Sequence, residues 1–483
     1  MRRPLAVGLV AALASLLAAC AVGPDHRPPE PSLDGSFIGA GAPVLDAAAP
    51  GADIATFWRG FDDAVLARLV DRALAVNGDV RIAAARLRES RAIEASTDAE
   101  RLPEVRLEGG ASRGLTPGYL FPGASAGQRT ASVYDAGFTA SWELDLFGRN
   151  RRASESAAAL TEASAAGLAA AWTSVSAEVV NVYLELRGFE QRRRVAEESI
   201  ANQRETLRLT EVRLDGGRGT RLDVSRARSQ LGSTEATLPA LQTEIERDAF
   251  RLATLTAQSP RAVLAQLAAG SAAALPSLPV TDLAALPVGT PEQLLRRRPD
   301  LVRAERELAS ATADIGVATA DLFPRVSLTG LIGLAGVRLG SLGDGDTRRY
   351  SVGAGLSWPV LDFGRVRARI AASGARAEQA LARYEQSVSL ALEETEGAFS
   401  RFTRSAQQGD RLDSSARDAD DAARLAKLRF DAGSSDLLIV LDAQRQALSA
   451  RDALVQARVA QATALVGVYR ALGGGWPQRP PAP

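Results

Sequence analysis

An internal repeat constrains the fold of this chain more than any other feature. The triplet Phe-Gly-Arg at 147–149 recurs at 363–365, and Arg-Leu-Asp-Gly-Gly at 213–217 recurs as Arg-Phe-Asp-Ala-Gly at 429–433. Both pairs of motifs have the same spacing, the 216 residues that separate positions 148 and 364 of a 483-residue chain. A conserved spacing of this length indicates that one structural unit is used twice, so both copies should adopt the same fold.

Each copy predicts two long helices joined by a tight turn. No proline occurs between Gly148 and Leu238, and a glycine-containing turn interrupts the helical pattern at the second motif of each copy. The helical hairpins are expected over 148–256 and 364–472. Side chains at steps of four and three residues follow the heptad spacing of helices that pack as coiled coils. These positions are Val175, Val179, Val182, Leu186 and Phe189, and in the second copy Ala391, Thr395, Ala398, Phe402 and Ser405.

Ahead of each helical hairpin the apolar period changes to two residues, which predicts β-strands. The strands are expected at about 104–114, 130–146, 324–336 and 350–362. Two interpretations fit such β-hairpins. They are either half-buried sheets of a soluble domain or transmembrane strands with apolar residues outward and polar residues inward. The long glycine-rich loops inside each hairpin and the N-terminal sequence described below favour transmembrane strands.

Transmembrane strands would require several copies of the chain, because four strands cannot close a barrel. Open strand edges are not viable in lipid, where unpaired N–H and C=O groups find no water. Two chains would give eight strands around an interior filled by side chains. Three chains would give about twelve strands around a lumen.

The first 19 residues are typical of a signal peptide that ends in a lipidation motif. Arg2 and Arg3 precede an apolar stretch that is too short to span a membrane. The sequence Leu-Ala-Ala-Cys then ends at Cys20, the single cysteine of the chain. We therefore expect cleavage before Cys20, a covalent lipid on it, and an extended tether over 20–55. No aspartate follows Cys20, which in lipoproteins of this type indicates transport to the outer membrane.

The composition argues against several classes of function. Equal numbers of basic and acidic side chains, 57 of each, give no excess positive charge for binding nucleic acid. One cysteine, one histidine and one methionine leave no ligand set for a zinc site and no Cys/His nucleophile pair. We expect no metal site, no cofactor other than the lipid, no catalytic residue and no enzymatic activity.

The repeat also sets the expected domain organisation. The first repeat covers 56–257, a linker with only short helices covers 258–290, and the second repeat covers 291–473. The last ten residues, 474–483, are expected to be a C-terminal tail.

Several motifs together resemble the outer-membrane efflux lipoproteins, the TolC-like outer-membrane factors of the NodT type. The motifs are the lipobox ending at Cys20, Gly-Pro-Asp at 23–25, the doubled Phe-Gly-Arg junctions, Asp300 after Arg-Pro, and Ala-Leu-Gly-Gly-Gly-Trp at 471–476. The resemblance covers essentially the whole mature chain. It departs at His26, where the family often has tyrosine.

The resemblance implies a homotrimer whose fold class is mainly α with β. Two repeats per chain, each a β-hairpin plus a long coiled-coil hairpin, would form a twelve-stranded barrel continuous with a periplasmic α-barrel. The implied partners are a periplasmic adaptor protein, an inner-membrane pump and outer-membrane lipid. The implied function is a passive conduit that exports small molecules or drugs. Two alternatives stay open: a type I protein-secretion duct, and a lipid-anchored periplasmic coiled-coil scaffold without a pore.

In the resembled family, carboxylates close to the second hairpin turn form rings at the pore constriction. Leu-Asp-Ala at 441–443 matches that motif, so Asp442 is the first candidate for a gating residue, and Asp223 is the related candidate in the first copy. Ile439 occupies the place of a second family carboxylate. The alternative for both acids is a local role in the first turn of a helix, where negative charge is favoured.

The turns at the hairpin tips carry two further predictions. Ion pairs between neighbouring hairpins would hold the tip shut, and their members would be Arg218, Arg221, Asp431 and Asp436. Exposed pairs contribute at most about 1 kcal/mol each, so several would be needed. The turn residues are also the expected adaptor contacts, in addition to their role in turn geometry. They are Asp215, Gly216, Gly217, Phe430, Asp431 and Gly433.

Overall fold

The computed structural model describes residues 21–31, 33, 35–39, 54–269, 275–283, 286 and 288–475. The predicted signal peptide, the lipidation site at Cys20 and most of the C-terminal tail lie outside the described residues. The chain divides into two compact units. Of the described residues, the first unit contains 21–30, 86–164 and 303–384, and the second contains the others.

The first unit is built on one antiparallel sheet of four strands in the order β1-β2-β3-β4. The strands are β1 (Glu104–Leu115), β2 (Thr130–Leu144), β3 (Arg325–Gly336) and β4 (Arg348–Ser357). β4 begins two residues before the predicted start and ends at Ser357 rather than at 362. Pro359 lies two residues beyond Ser357, the last paired residue, and has no N–H to donate, so the ladder does not continue past it.

The strand pairing places apolar side chains in rows across one face of the sheet. Leu107 lies opposite Phe138, Phe138 opposite Ile332, and Ile332 opposite Tyr350. Ile332 is 66% exposed and Tyr350 is 85% exposed, so this face is uncovered in the single chain. Residues one position along each strand are mostly polar or glycine and point to the other face. The sheet is therefore apolar on one face and polar on the other.

Both β-hairpins are fastened in the same way to the turn that follows the preceding helix. The helices are α2 (Gly78–Ala99) and α8 (Pro299–Ala320). The indole Nε1 of Trp142 donates to the carbonyl oxygen of Arg101 at 3.0 Å. The indole Nε1 of Trp358 donates to the carbonyl oxygen of Leu322 at 2.9 Å. Equivalent tryptophans therefore fix both repeats at the helix–sheet junction.

Residues 21–30 contain no helix or strand, as expected of an extended tether, but they pack on the first unit. The backbone N–H of Val22 donates to the carbonyl oxygen of Phe147 at 3.2 Å. The carboxylate of Asp25 lies 2.6 Å from the guanidinium of Arg152, whose side chain is only 6% exposed. The part of the tether that the structure describes is thus held by specific contacts.

The two longest helices end at the two hairpin turns. α3 (Arg149–Asp215) and α9 (Arg365–Asp431) each contain 67 residues and are continuous. The return helix of the second repeat, α10 (Leu437–Ala471), is also continuous. The return segment of the first repeat is two helices, α4 (Arg221–Glu235) and α5 (Thr237–Leu255), that meet at Ala236. Pro239 lies in the first turn of α5, where its missing N–H needs no helical partner.

The core of the second unit contains the heptad positions of α3 and α9. Val179 and Leu186 on α3 are fully buried, and Thr395 and Phe402 occupy the shifted positions on α9 with at most 1% exposure. A short 3₁₀ segment (Ile54–Phe61) and α1 (Ala64–Val76) pack against this core. Two further helices, α6 (Pro260–Ala269) and α7 (Pro291–Arg297), are short, and the loops inside the β-hairpins contain only single helical turns such as Ala126–Arg129.

Equivalent side chains in the two repeats close the end of each return helix. The amide of Asn77 donates to the carbonyl oxygen of Leu255 at 3.0 Å. The guanidinium of Arg298 donates to the carbonyl oxygen of Ala471 at 3.1 Å. Together with the two long helices and the paired tryptophans, these bonds support a two-repeat architecture, mainly helical with one small sheet. None of the helices in the described part of the chain combines the length and apolar character needed to cross a bilayer.

Candidate functional site

The tips of the two helical hairpins are the best candidate for a functional site, and both turns have the same backbone geometry. In the first turn, Gly217 N–H donates to Leu214 O at 2.9 Å and Arg218 N–H to Arg213 O at 2.8 Å. In the second, the matching bonds end on the carbonyls of Phe430 and Arg429. Gly217 has a φ of +68° and Gly433 a φ of +74°. This is the Schellman ending of a helix, which requires a residue at positive φ.

Asp223 forms part of a capping box at the start of α4. Its carboxylate accepts the backbone N–H of Thr220 at 3.1 Å, and its own N–H donates to the Thr220 hydroxyl at 3.2 Å. This is the local role that the sequence left open as the alternative to gating. Within the described chain the Asp223 carboxylate therefore already has hydrogen-bond partners at the start of α4.

Asp442 lies one turn into α10, and its carboxylate contacts its own helix. One oxygen pairs with the guanidinium of Arg445, and the other accepts from the amide of Gln446 at 2.8 Å. The Asp442 side chain remains 44% exposed. It is thus a paired but accessible carboxylate close to the second turn. A role in a ring formed with other copies stays a prediction.

The four residues predicted to form ion pairs at the tip do not pair with one another in the described chain. Asp431 pairs with Lys427 of its own helix at 2.9 Å. Asp436 caps α10, where its carboxylate accepts the N–H of Leu438 at 3.1 Å. Arg218 and Arg221 form no ion pair with the described residues. Groups of the same helix satisfy both acids, a lysine for Asp431 and a backbone N–H for Asp436, because such contacts need no approach of a second hairpin.

The link between the two tips comes instead from Arg213, which sequence reasoning did not single out. Its guanidinium lies 3.8 Å from the ring centroid of Phe430 and donates to the carbonyl oxygen of Phe430 at 2.7 Å. Phe430 belongs to a small apolar cluster at the tip with Ala227, Ala426, Leu437, Val440 and Leu441. The sequence did offer one sign of this role. Arg213 recurs as Arg429 in the second repeat, and the geometry of the turn does not by itself require an arginine there.

Large apolar side chains are exposed around both turns at equivalent positions. Val212 of the first hairpin corresponds to Leu428 of the second, and Leu222 corresponds to Leu438. All four are more than half exposed, as is Ile439. Exposed apolar groups clustered at the end of a structure are typical of protein-docking surfaces. The tips thus combine apolar contact area with charged side chains.

Away from the tips, a buried ionic cluster holds the second repeat together. The guanidinium of Arg298 pairs with Asp300 and with Glu394, each at 2.7 Å, and Glu394 also pairs with Arg470 at 2.6 Å. Burial raises the pKa of the Glu394 carboxyl, but the hydrogen bonds and charges of Arg298 and Arg470 outweigh it, so that pKa lies below its ordinary value. This cluster is structural, because Arg298 is buried and also binds the end of α10.

A sheet with one uncovered apolar face and two long helical hairpins is the architecture of an outer-membrane channel. The comparisons with known proteins agree. A family model described as outer membrane efflux protein matches residues 69–258 and 290–474. The chain belongs to the outer membrane efflux protein family, which confirms the resemblance and the predicted fold class.

Named relatives cover nearly all of the chain. It is 34% identical over 430 residues to the pyoverdine export outer membrane protein OpmQ of Pseudomonas aeruginosa, with 88% of each chain covered. It is 33% identical over 483 residues to the outer membrane protein OprJ of the same organism, covering 99% of this chain and 97% of the relative. These similarities confirm the predicted location in the outer membrane and the role as the channel component of an efflux system.

Solved structures show the same fold. The outer-membrane channel OprN has a TM-score of 0.85 and 42% identity, with 95% of this chain and 100% of that chain covered. The open state of the Neisseria gonorrhoeae MtrE outer membrane channel has a TM-score of 0.81 and 26% identity, with 95% and 99% covered. Both are channels, so the family is one of transport conduits.

Proposed function

We propose that three copies of this chain form one passive duct that carries small organic molecules through the outer membrane. The observation that supports this most strongly is the open-edged sheet with a single apolar face. Its unpaired edges are incompatible with lipid unless other copies complete a barrel. Three copies give about twelve strands, which leaves a lumen, whereas two would fill the interior with side chains.

The proposal includes a lipid on Cys20 as a second attachment to the membrane. Several acyl chains anchor a protein far more firmly than one. The ordered contacts of Val22 and Asp25 with the first unit support it, because they bring the chain that follows Cys20 against the sheet-bearing unit. Replacement of Cys20 by serine should leave the duct assembled but without acylation, as measured by the mass of the mature chain.

The hairpin tips are the proposed docking surface for a periplasmic adaptor, which in turn joins an inner-membrane pump. The exposed apolar residues at both tips, Val212, Leu222, Leu428 and Leu438, support this, as does the repetition of the same turn twice per chain. The turn residues Asp215, Gly216, Gly217, Asp431 and Gly433 set the backbone on which these side chains are presented. The pump would select the cargo and supply the energy.

The proposed gate lies at the same tips. Asp442 is its candidate carboxylate, and Asp223 is a weaker candidate because its side chain already completes a capping box. Arg218 and Arg221 are exposed cations without an ion pair to the described residues, so they are available to acids of a neighbouring copy. Opening would require these contacts between copies to separate while Arg213 keeps the two hairpins of one chain together.

Single-channel conductance of the detergent-extracted protein in a planar bilayer tests the duct and the gate. Small openings are expected for the parent chain and larger openings for Asp442→Ala, because the variant loses a charge ring at the constriction. Asp418→Ala removes an exposed carboxylate from the body of α9 and is the matched control. Unchanged conductance of Asp442→Ala would remove Asp442 from the gate, and a silent protein would contradict the duct.

The printed names of the relatives support small organic cargo over exported proteins. They include proteins named for pyoverdine export, for toluene efflux and for antibiotic efflux. A strain that lacks its own outer-membrane channel and receives this chain with a matching adaptor and pump should regain resistance to such compounds. Secretion of a protein toxin without any gain in resistance would favour the protein-secretion duct instead.

A further inference from the structure

A cavity of about 510 Å³ lies on the second unit, among the helices α3, α9 and α10. All the residues that line it belong to this unit. Its volume is in the range of sites that hold small organic ligands. The cavity lies away from the hairpin tips and from the sheet, so neither the docking surface nor the barrel uses it.

The charged side chains that line the cavity are all arginines. Arg401 and Arg404 lie on α9, and Arg470 lies on α10. The described residues that line the cavity include no aspartate and no glutamate. The cavity therefore carries an excess of positive charge, although the chain as a whole has no net charge.

Two of these arginines have no carboxylate partner within the described chain. Arg401 forms no ion pair there, and the guanidinium of Arg404 donates to the amide oxygen of Gln407 at 3.1 Å. Arg470 pairs with Glu394 at 2.6 Å and is still 51% exposed. Like charges three residues apart on one helix repel each other. An anion held by Arg401 and Arg404 would remove that repulsion.

Small apolar residues form another part of the lining. They include Ala460, Ala464 and Gly467 of α10. A Cβ built on Gly467 would meet no neighbouring helix within 4 Å, so there is open space beside α10 at this point. An apolar group of a ligand can leave water here without displacing protein atoms, which is favourable.

Asn181 of α3 adds an unpaired hydrogen-bonding group to the lining. Its amide oxygen is buried and accepts no hydrogen bond from the described residues. Buried polar atoms nearly always have a partner, and an unpaired acceptor costs free energy. A ligand N–H or O–H that bonds to this amide, after a small rotation of the side chain, would remove that cost.

From these observations we infer that the second unit binds a small organic anion in this cavity. The acid group of the ligand is held by Arg401 and Arg404, and an N–H or O–H of the ligand donates to Asn181. Its apolar part packs against Ala464 and Gly467. Guanidinium groups bind carboxylates and phosphates through paired, charge-assisted hydrogen bonds, which favours such acids over neutral molecules. The site uses residues of one chain only, so it does not depend on the proposed duct.

Isothermal titration calorimetry of the detergent-extracted full chain with N-acetyl-tryptophan tests the site. This probe combines a carboxylate, an amide N–H and an apolar ring system. One molecule should bind per chain, and higher ionic strength should weaken the binding. The neutral N-acetyl-tryptophan amide should bind at least about tenfold more weakly, because it lacks the charge that the arginines recognise.

Four variants locate the binding. Arg401→Ala and Arg404→Ala should each lower the affinity for the acid at least about tenfold. Gly467→Leu places a side chain in the open space and should abolish binding while every charge is kept. Arg367→Ala is the matched control, because Arg367 is an exposed arginine of the same helix that does not line the cavity. Its affinity should equal that of the parent chain.

Circular dichroism and native mass of each variant separate loss of binding from loss of folding or of assembly. Equal binding of the acid and its neutral amide, or an equal loss in Arg367→Ala, would overturn the anion site. A parent chain that binds no probe would overturn it as well. If Arg401→Ala then also changes the number of copies, the cavity is a contact between copies. Each of these results would leave the duct, which conductance tests separately.

Discussion

The two repeats share one backbone plan but differ in how each position is used. At the end of the return helix, repeat one uses the neutral Asn77, whereas repeat two uses the buried Arg298 with two carboxylates. At the strand–helix junction, Phe147 is stacked on Phe323 while Phe363 is exposed. The two repeats thus keep the same backbone register, but the side chains at equivalent positions differ because their neighbours differ.

The largest expected effect comes from the two side chains that close the return helices. Arg298→Ala should lower the free energy of unfolding by about 3–5 kcal/mol, because it removes a buried guanidinium that binds Asp300, the partly buried Glu394 and the carbonyl of Ala471. Asn77→Ala removes a neutral hydrogen-bonding group and should cost about 1–3 kcal/mol. Heat denaturation followed by circular dichroism in detergent compares the two. Equal losses of unfolding free energy in the two variants would show that the ionic cluster adds no stability beyond that of a neutral hydrogen bond.

Glu394 and its counterpart Glu178 test the cluster through pH. The pKa of Glu394 is lowered in the folded chain, so its contribution is fully present above the ordinary value of 4.5 and is lost as pH falls through the lowered pKa. Glu394→Gln should cost about 2 kcal/mol at neutral pH and little in acid. Among the described residues Glu178 pairs with Arg251 at the surface, so Glu178→Gln should cost less than about 1 kcal/mol at any pH. A loss of stability in Glu394→Gln that is the same at every pH would contradict the claim that the charge of Glu394 stabilises the cluster.

Gly137 and Gly353 occupy the same place in the two repeats but meet different neighbours. A Cβ on Gly137 would lie 2.8 Å from the carbonyl oxygen of Ile332, whereas a Cβ on Gly353 would meet the Thr329 hydroxyl oxygen at 3.2 Å. Gly137→Ala should therefore cost about 1–3 kcal/mol by overpacking the pairing of β2 with β3. Gly353→Ala should cost less, as judged by the temperature at which the oligomer dissociates. The reverse order would mean that Gly353 of β4, and not Gly137 of β2, has the tighter surroundings.

The smallest expected effects are at the helix starts beside the two turns. Thr220 caps α4 through a capping box, and Asp436 caps α10 through one bond to Leu438. Each change to alanine should cost about 1 kcal/mol. Thr220→Ala should also remove the hydroxyl that donates to the Asp223 carboxylate, which keeps only the backbone N–H of residue 220, and so alter conductance, whereas Asp436→Ala should not. Conductance that changes equally in both variants would assign the effect to loosening of the tips in general.

The sequence was sufficient to predict the repeat, the long helices and the strands, because these follow from residue spacing. A proline-free stretch with heptad positions predicted α3 and α9, and period-two alternation predicted all four strands. The break at Ala236 was missed, because a proline in the first turn of a new helix resembles one in a continuing helix. The early end of β4 was missed for a similar reason, since the apolar alternation continues past Pro359.

The candidate site was harder to predict, because contacts between hairpins do not follow from spacing along one helix. The gating and ion-pair roles of Asp431, Asp436 and Asp442 stay predictions, and in the structure each carboxylate is bonded within its own helix, to Lys427, to the N–H of Leu438 and to Arg445. The cation–π contact of Arg213 with Phe430 joins residues more than 200 positions apart, as their numbers show. Only the three-dimensional arrangement of the two hairpins reveals it.

The central claim is that this chain works as a shared duct, and the number of copies tests it most directly. Native mass spectrometry of the detergent-extracted full chain should give one assembly of three copies, and that assembly should conduct ions in a bilayer. A protein that carries one copy per assembly and conducts nothing would contradict the account. It would leave a membrane-attached helical scaffold whose apolar sheet is covered in some other way.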